Sequence, residues 1–215
     1  MADIENQYVF STADLSVIEN IKQGEYSHLS WGDESLAEVK RNIREFYRGE
    51  QRGICAFCKN DLSLRSASNC TIEHIIPKSK KLEFMFTGKN LCVICADCNE
   101  IKRAQDVIND IPDVIDNITR RVKYPISGAV FKIVHPHYDS WSEHILRIGR
   151  AYIDKTNKGI NTILICKLNR FFHRFEVGDE YINEPDLHAL MEEYLNCQQP
   201  LRKAELLLQI KSALR

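Results

Sequence analysis

Two short cysteine motifs lie near the middle of the chain. Cys55 and Cys58 form one Cys-x-x-Cys pair, and Cys95 and Cys98 form a second pair further along. Two such pairs supply four thiolates, which bind zinc in a closed tetrahedral site with no position left for a substrate. The spacing therefore predicts a structural Zn²⁺ ion, and any chemistry must come from the residues that the zinc holds in place.

A Glu-His dipeptide lies between the two cysteine pairs. Glu73 and His74 begin the sequence Glu-His-Ile-Ile-Pro, Asn90 precedes the second pair, and Asn99 directly follows it. A neutral imidazole can accept a proton from water near neutral pH. Carboxylate and amide oxygens are ligands for Mg²⁺ or Mn²⁺. These residue types together suit the hydrolysis of a phosphodiester bond.

Over residues 55–103 this pattern resembles an HNH endonuclease of the zinc-bracketed kind. The resemblance implies a ββα-metal core with His74 as the general base and with Glu73 and Asn99 as ligands of a catalytic Mg²⁺ or Mn²⁺ ion. Asn90 falls on the middle asparagine of the family and is expected to tie the loop and orient His74. Glutamate at 73 and asparagine at 99 differ from the commoner aspartate and histidine, and both are accepted variants.

The assignment of the zinc ligands has one alternative. Cys92 and Cys95 also have Cys-x-x-Cys spacing. We favour Cys95 with Cys98 because Cys92 falls inside a predicted strand and is followed by two apolar residues. The other cysteines fit buried small apolar side chains.

Charge is unevenly distributed along the chain. The formal net charge is −1, yet residues 1–39 carry eight acidic side chains against a single lysine. Basic residues gather beside the motif, and we expect Lys78, Lys102 and Arg103 to contact the phosphates of a nucleic acid. An ordinary solvated face is the alternative for any one of these groups.

The patterns predict an α+β fold that is mostly helical. We expect an acidic segment and a helix over residues 1–50, an HNH nuclease module over 51–110, and a mainly helical region for substrate or partner contacts over 111–215. Residues 1–30 are expected to be irregular. Apolar residues from Ile160 to Phe171 recur at helical spacing, which predicts a helical packing surface. Strands are predicted at 71–75, 91–94 and 129–134, and helices at 35–49, 97–108, 185–197 and 200–214.

Composition limits the class of protein. Hydrophobic residues make up 44% of the 215 residues and charged residues 27%, which is ordinary for a globular protein. No apolar run approaches the length of a membrane span. The first residues lack the basic and apolar regions of a secretory signal, so we expect a cytoplasmic location, where thiols stay reduced.

The sequence therefore predicts a metal-dependent endonuclease that acts on nucleic acid, with DNA as the expected substrate and RNA as the alternative. A competing interpretation is a zinc knuckle that binds nucleic acid or protein without cleavage. A looser similarity, to Septu-type PtuB nucleases, implies an effector of an antiviral defence system with an ATPase partner. It rests on His135, Asp139, His144, Asn169 and Arg170.

Overall fold

The computed structural model describes residues 2–109, 123–175 and 185–213. This part of the chain is α+β and about half helical, with two small antiparallel sheets. The predicted boundary at residues 110 and 111 and the predicted helix end at residue 214 lie outside the described residues. The remaining elements can be compared directly with the sequence predictions.

Helices and strands are named here in chain order. The helices are α1 (Thr12–Lys22), α2 (Ala37–Glu50), α3 (Ala96–Lys102), α4 (Trp141–His144), α5 (Asn157–Ile165), α6 (Arg170–Phe175), α7 (Pro185–Asn196) and α8 (Pro200–Ala213). The strands are β1 (Thr71–His74), β2 (Leu91–Ile94), β3 (Ile145–Ile148) and β4 (Ala151–Asp154).

Helix α1 corrects the prediction that residues 1–30 are irregular. The Ser11 hydroxyl accepts a hydrogen bond from the Asp14 amide at 3.1 Å, and the Asp14 carboxylate accepts one from the Ser11 amide at 2.9 Å. This reciprocal capping box satisfies two amides at the start of the helix. Ser35, predicted to open the second helix, instead bonds to Asp33, and α2 begins two residues later.

The first sheet sets the positions of the Glu-His dipeptide. Strands β1 and β2 pair in antiparallel register, with Glu73 opposite Cys92 and His74 opposite Leu91. Helix α2 packs on both strands and buries Val39, Ile43 and Tyr47. Strand β2 has the predicted bounds, while α3 ends at Lys102, well before the predicted residue 108.

A glutamine side chain extends this sheet. The Gln51 side-chain amide donates to the Val93 carbonyl, and its oxygen accepts from the Val93 amide, both at 2.8 Å. Gln51 thereby satisfies the buried Val93 amide and shares the Val93 carbonyl with the Ala56 amide, which donates to it at 3.2 Å. The end of α2 is fixed against the sheet by this pair of bonds.

The second sheet was not predicted. Strands β3 and β4 form a hairpin with Ile148 opposite Ala151. The strand predicted at 129–134 is absent from the structure: residues 128–130 form a short 3₁₀ turn, and Phe131 makes only an isolated bridge to Ile108. A single bridge does not make a β-strand, so the β-branched residues of that segment led to a wrong prediction.

The stripe predicted from Ile160 to Phe171 is divided between the core and solvent, since Leu168 is fully buried and Ile163 packs against the core. Ile160 is 42% exposed and Leu164 is 64% exposed. The buried face of α5 contains Gly159 and Thr162, and the Thr162 hydroxyl accepts a bond from the Val134 amide at 2.8 Å. A small residue and a satisfied hydroxyl allow the helix to approach the backbone closely, which apolar periodicity does not reveal.

One hydrophobic core joins the three parts of the chain. It includes Ile4 and Ile18 from the N-terminal part, Phe57 and Val93 from the centre, and Leu168 from the C-terminal part. A smaller cluster lies between β4, α6, α7 and α8. No helix in the described ranges is both long enough and apolar enough to cross a membrane.

Gly159 provides a test of this packing. A Cβ atom at Gly159 would lie 2.0 Å from the carbonyl oxygen of His144, whereas one at Gly49 in α2 would have no neighbour within 4 Å. We expect Gly159→Ala to lower the free energy of unfolding by about 1–3 kcal/mol through overpacking. Gly49→Ala should raise it by roughly 0.5 kcal/mol. Urea unfolding of both variants measures these changes, and equal effects would contradict the packing.

Candidate active site and metal centre

The four predicted cysteines form one compact cluster. The Sγ atoms of Cys55, Cys58, Cys95 and Cys98 all lie within 4.8 Å of one another, and all four residues are buried. Cys92 is not part of this group, so the cluster consists of the four cysteines that the sequence analysis favours. Four convergent thiols at this spacing are a suitable donor set for a metal ion.

Local backbone geometry brings the two cysteine pairs together. The first pair lies on a turn in which the Cys55 amide donates to the Asn60 carbonyl at 2.9 Å and Lys59 adopts a left-handed φ of 57°. Cys95 caps the start of α3, and its amide donates to the Cys55 sulfur at 3.4 Å. We call residues 55–60 and 95–98 the knuckle.

Aromatic residues of the C-terminal part hold the first turn of the knuckle. The Trp141 indole nitrogen donates to the Phe57 carbonyl at 2.9 Å. The Tyr152 hydroxyl donates to the Cys58 carbonyl at 2.5 Å. These bonds satisfy carbonyls next to the cysteines, and sequence reasoning missed them because no spacing rule links residues so far apart in the chain.

Two arginines also contact the knuckle. Arg147 donates to the Lys59 carbonyl at 2.8 Å. Arg170 lies 3.9 Å from the Cys98 sulfur and donates to the Asp97 carboxylate at 3.2 Å. A guanidinium beside the cluster can offset part of the negative charge that four thiolates would concentrate there.

Glu73 forms a buried ion pair with Lys102. The Lys102 ammonium is 0% exposed, donates to Oε1 of Glu73, and also donates to the Ile75 carbonyl at 3.1 Å. Burial raises the pKa of Glu73, and the charge of Lys102 opposes that shift. This position differs from the predicted role of Lys102, because an enclosed ammonium presents no surface to a phosphate.

His74 is enclosed and oriented by the backbone. It is 5% exposed, its Nε2 lies 3.1 Å from the Met85 carbonyl oxygen, and the ring of Trp31 contacts it edge-on with centroids 4.5 Å apart. A carbonyl only accepts, so the Nε2 of neutral His74 carries the proton and Nδ1 holds the lone pair. Burial, helped by the charge of Lys78, lowers the pKa of His74 to about 3.

Asn90 connects the two ends of the loop that follows β1. Its Oδ1 accepts from the Ile76 amide at 2.7 Å, and its Nδ2 donates to the carbonyls of Ile76 and Phe84 at 3.1 Å each. Asn90 is fully buried, so all of its hydrogen-bonding capacity serves the backbone. The loop that carries Met85 is held in this way against β2.

The other predicted site residues lie closer to solvent. Lys78 is partly buried, and its charge acts on both Glu73 and His74. Asn99 is exposed on α3, and Arg103 is exposed and pairs with Glu100. The structure therefore groups Glu73, His74 and Lys78, with Asn99 at the surface of the helix that also carries Lys102.

The C-terminal histidines lie outside the cysteine cluster. His135 is buried, with Nε2 at 2.9 Å from the Tyr124 hydroxyl. His137 places Nε2 at 2.7 Å from the Leu91 carbonyl. Within the described ranges the cysteine cluster is the only group of three or more histidine, cysteine or carboxylate residues close enough to share a metal.

The buried ion pair generates a stability test. Lys102→Met leaves the Glu73 carboxylate buried without its cation, and we expect the free energy of unfolding to fall by about 3–5 kcal/mol. The double variant Lys102→Met/Glu73→Gln removes both charges and should recover much of that loss. Urea unfolding measures both, and a loss below about 1 kcal/mol in the single variant would contradict the pairing.

One of the comparisons with known proteins finds a family for the segment that contains this site. Residues 55–105 match the family model described as HNH endonuclease. The matched segment is about a quarter of the chain and contains both cysteine pairs and the Glu-His dipeptide. The searches of curated proteins and of solved structures returned no match. Residues 55–105 therefore match the HNH endonuclease family, as the spacing of the cysteines and the Glu-His dipeptide predicts.

Proposed function

We propose that this protein is an endonuclease that hydrolyses phosphodiester bonds of nucleic acid, with His74 as the general base. The observation that carries the proposal is the hydrogen bond between Nε2 of His74 and the Met85 carbonyl, inside the segment that matches the HNH family. This bond leaves Nδ1 of the neutral ring as a proton acceptor. A base needs that lone pair before it can act.

The proposed reaction is an attack of water on phosphorus. Nδ1 of His74 takes one proton from the water as the water oxygen forms a bond to phosphorus. The bond between phosphorus and the 3′-oxygen breaks, and the departing 3′-oxygen gains a proton from solvent. The imidazolium then returns its proton to solvent, so that the enzyme is unchanged and one water is consumed for each bond cleaved.

Glu73 and Asn99 are the proposed ligands of a Mg²⁺ or Mn²⁺ ion. A carboxylate and an amide offer the oxygen atoms that these ions prefer. Lys102 bonds to Oε1 of Glu73, and a carboxylate has a second oxygen with further acceptor capacity. When bound, the ion would neutralise charge on the phosphoryl oxygens and on the departing 3′-oxygen.

The four clustered cysteines are proposed to hold Zn²⁺ as a structural ion. Their sulfurs can complete a tetrahedral shell, so a zinc ion there has no open position for water or substrate. Burial of four thiolates without a cation would bring like charges together in a medium of low dielectric. The zinc would then contribute folding energy and support α3, the helix that carries Asn99 and Lys102.

Lys78 and Arg103 are the proposed phosphate contacts near the site. Lys78 is partly buried beside Glu73 and His74, and Arg103 is exposed just after α3. Positive groups at such positions can neutralise phosphates on either side of the cleaved bond. DNA is the proposed substrate and RNA is the alternative, since phosphate contacts do not distinguish the two polymers.

A second candidate function is a binding module without catalysis. It is favoured by the enclosure of the site, because Lys102 neutralises Glu73 and His74 is almost completely buried. Such a module would bind zinc and nucleic acid but leave phosphodiester bonds intact. Incubation of the protein with nucleic acid and Mg²⁺ separates the two functions directly.

The proposed zinc site predicts a specific loss of metal. Cys95→Ser removes one of the four clustered ligands, so the variant should lose bound zinc and much of its stability. Cys92→Ser is the matched control, since Cys92 is also buried but lies outside the cluster, and it should keep one zinc per chain. Elemental analysis measures the zinc content of each variant. Full zinc in Cys95→Ser would contradict the assignment.

The proposed base predicts a specific loss of cleavage. His74→Ala removes the proton acceptor but leaves the cysteines, Glu73 and Asn99 in place. Cleavage should fall by roughly 10²–10⁴ fold, while zinc content and affinity for nucleic acid stay close to those of the parent. Supercoiled plasmid, linear DNA and structured RNA, each with and without Mg²⁺ or Mn²⁺, provide the assay.

His188→Ala is the control for this experiment. His188 lies on α7, outside the candidate site, and its replacement should leave cleavage at the level of the parent. If His74→Ala cleaves as fast as the parent, His74 is not the base. If the parent with Mg²⁺ or Mn²⁺ binds nucleic acid and cleaves none of the three substrates, the binding module is the correct function.

A further inference from the structure

A cleft lies beside the knuckle and is lined in part by Asn60. It has a volume of about 490 Å³, within the roughly 300–1,000 Å³ typical of ligand sites. The Phe57 ring lies 6.0 Å from the Lys102 ammonium, while the neighbouring Cys58 carbonyl faces Tyr152. The cleft and the candidate site therefore share the knuckle as a wall. The cleft is lined by Asn60, Arg147, Gly149, Arg150, Tyr152 and Phe171.

Arg147 fixes one wall of the cleft. Its guanidinium donates to the Lys59 carbonyl at 2.8 Å, to the Asn60 side chain at 2.7 Å and to the Gly149 carbonyl at 2.9 Å. Gly149 has φ of 55° and is the first residue of the two-residue turn between β3 and β4, where glycine is favoured. The turn is thus held against the knuckle and presents the exposed Arg150 at the cleft.

Helix α6 supplies an aromatic wall. Phe171 is 36% exposed and its ring lies 5.0 Å from the Arg170 guanidinium. Phe175, one turn later, is also exposed and lies 5.3 Å from the Arg174 guanidinium. The two rings are 6.3 Å apart and inclined by only 25°. Aromatic rings that alternate with arginines form a surface on which successive bases can stack.

The charges around the cleft favour a polyanion. None of the residues that line it carries a carboxylate, while Arg147 and Arg150 are both cationic. Arg150 makes no ion pair with any residue that the structure describes. An acidic peptide would also suit the charge, but exposed aromatic faces at one-turn spacing match bases better than they match carboxylates.

We propose that this cleft binds an unpaired nucleotide of a nucleic-acid strand, with the base stacked on Phe171 and a backbone phosphate at Arg150. The inference rests on the proposed function for the identity of the polymer and refines its substrate to single-stranded DNA or RNA. In a duplex each base is already paired and stacked, so its face is not available to Phe171. The protein thus prefers single strands or unpaired ends to continuous duplex.

Binding measured without cleavage tests this proposal. Fluorescence anisotropy with labelled single-stranded DNA, single-stranded RNA and a DNA duplex of equal length is recorded with no divalent cation added. Phe171→Ala and Phe171→Leu should each weaken single-strand binding by roughly tenfold, because both remove the aromatic face. Phe171→Trp should retain single-strand binding, and duplex binding should not change in any of the three variants. Leu201→Ala, an exposed apolar residue on α8, is the control.

Arg150→Ala tests the phosphate contact separately. It should weaken single-strand binding and reduce the slope of log affinity against log salt by about 0.7, the value for one phosphate contact on a single strand. An unchanged slope would overturn the contact. Zinc content and the circular dichroism spectrum of each variant show whether its fold is retained.

The outcomes separate this cleft from the nuclease proposal. If single-strand affinity is lost in Phe171→Ala and Phe171→Leu while the parent cleaves nothing, the cleft is supported and the nuclease fails. If the parent cleaves nucleic acid but both variants bind single strands as the parent does, or lose duplex binding equally, the cleft is overturned and the nuclease stands.

Discussion

Four buried sulfur atoms bring together two segments of the chain that are almost 40 residues apart, and the first sheet and helix α3 are positioned at that junction. The sheet of β1 and β2 lies between the two cysteine pairs. Helix α3 is capped by Cys95, so its direction is set where the sulfurs converge. Because closure of a long loop costs chain entropy, a metal that fixes the junction would support the sheet, the helix and the loop of Met85 together.

The candidate site has the character of a closed protein interior. A buried carboxylate is costly unless a cation and hydrogen bonds accompany it, and Lys102 supplies both for Glu73. A buried imidazole is costly when charged, which is why His74 is neutral at ordinary pH. The Met85 carbonyl then selects one of the two neutral tautomers. Burial and one backbone contact thus leave His74 neutral with a lone pair on Nδ1, although the same burial weakens the affinity of that lone pair for a proton.

Local patterns predicted part of this arrangement and distant contacts supplied the rest. The spacing of the cysteines was sufficient to predict the cluster, and the apolar run at residues 91–94 was sufficient to predict β2. Each of these patterns lies within short stretches of the chain. The burial of Lys102 was not predictable, since an amphipathic helix usually turns its lysines toward solvent and only the partner at position 73 reverses that preference. The apolar stripe did not reveal that α5 packs through Gly159, because that close approach depends on His144, which no periodicity indicates.

The bonds between the C-terminal part and the knuckle have a dynamic consequence. Trp141, Arg147 and Tyr152 all donate to carbonyls of residues 57–59. Separation of α4 and the β3–β4 hairpin from the cysteine turn would therefore leave these carbonyls, two of them buried, without their side-chain donors. Such segments open as one cooperative unit rather than one at a time. Transient opening of the sulfur cluster would accordingly disorder the hairpin turn as well. The proposed preference for single-stranded nucleic acid would then depend on whether the proposed zinc ion is bound, although that ion would not contact the nucleic acid.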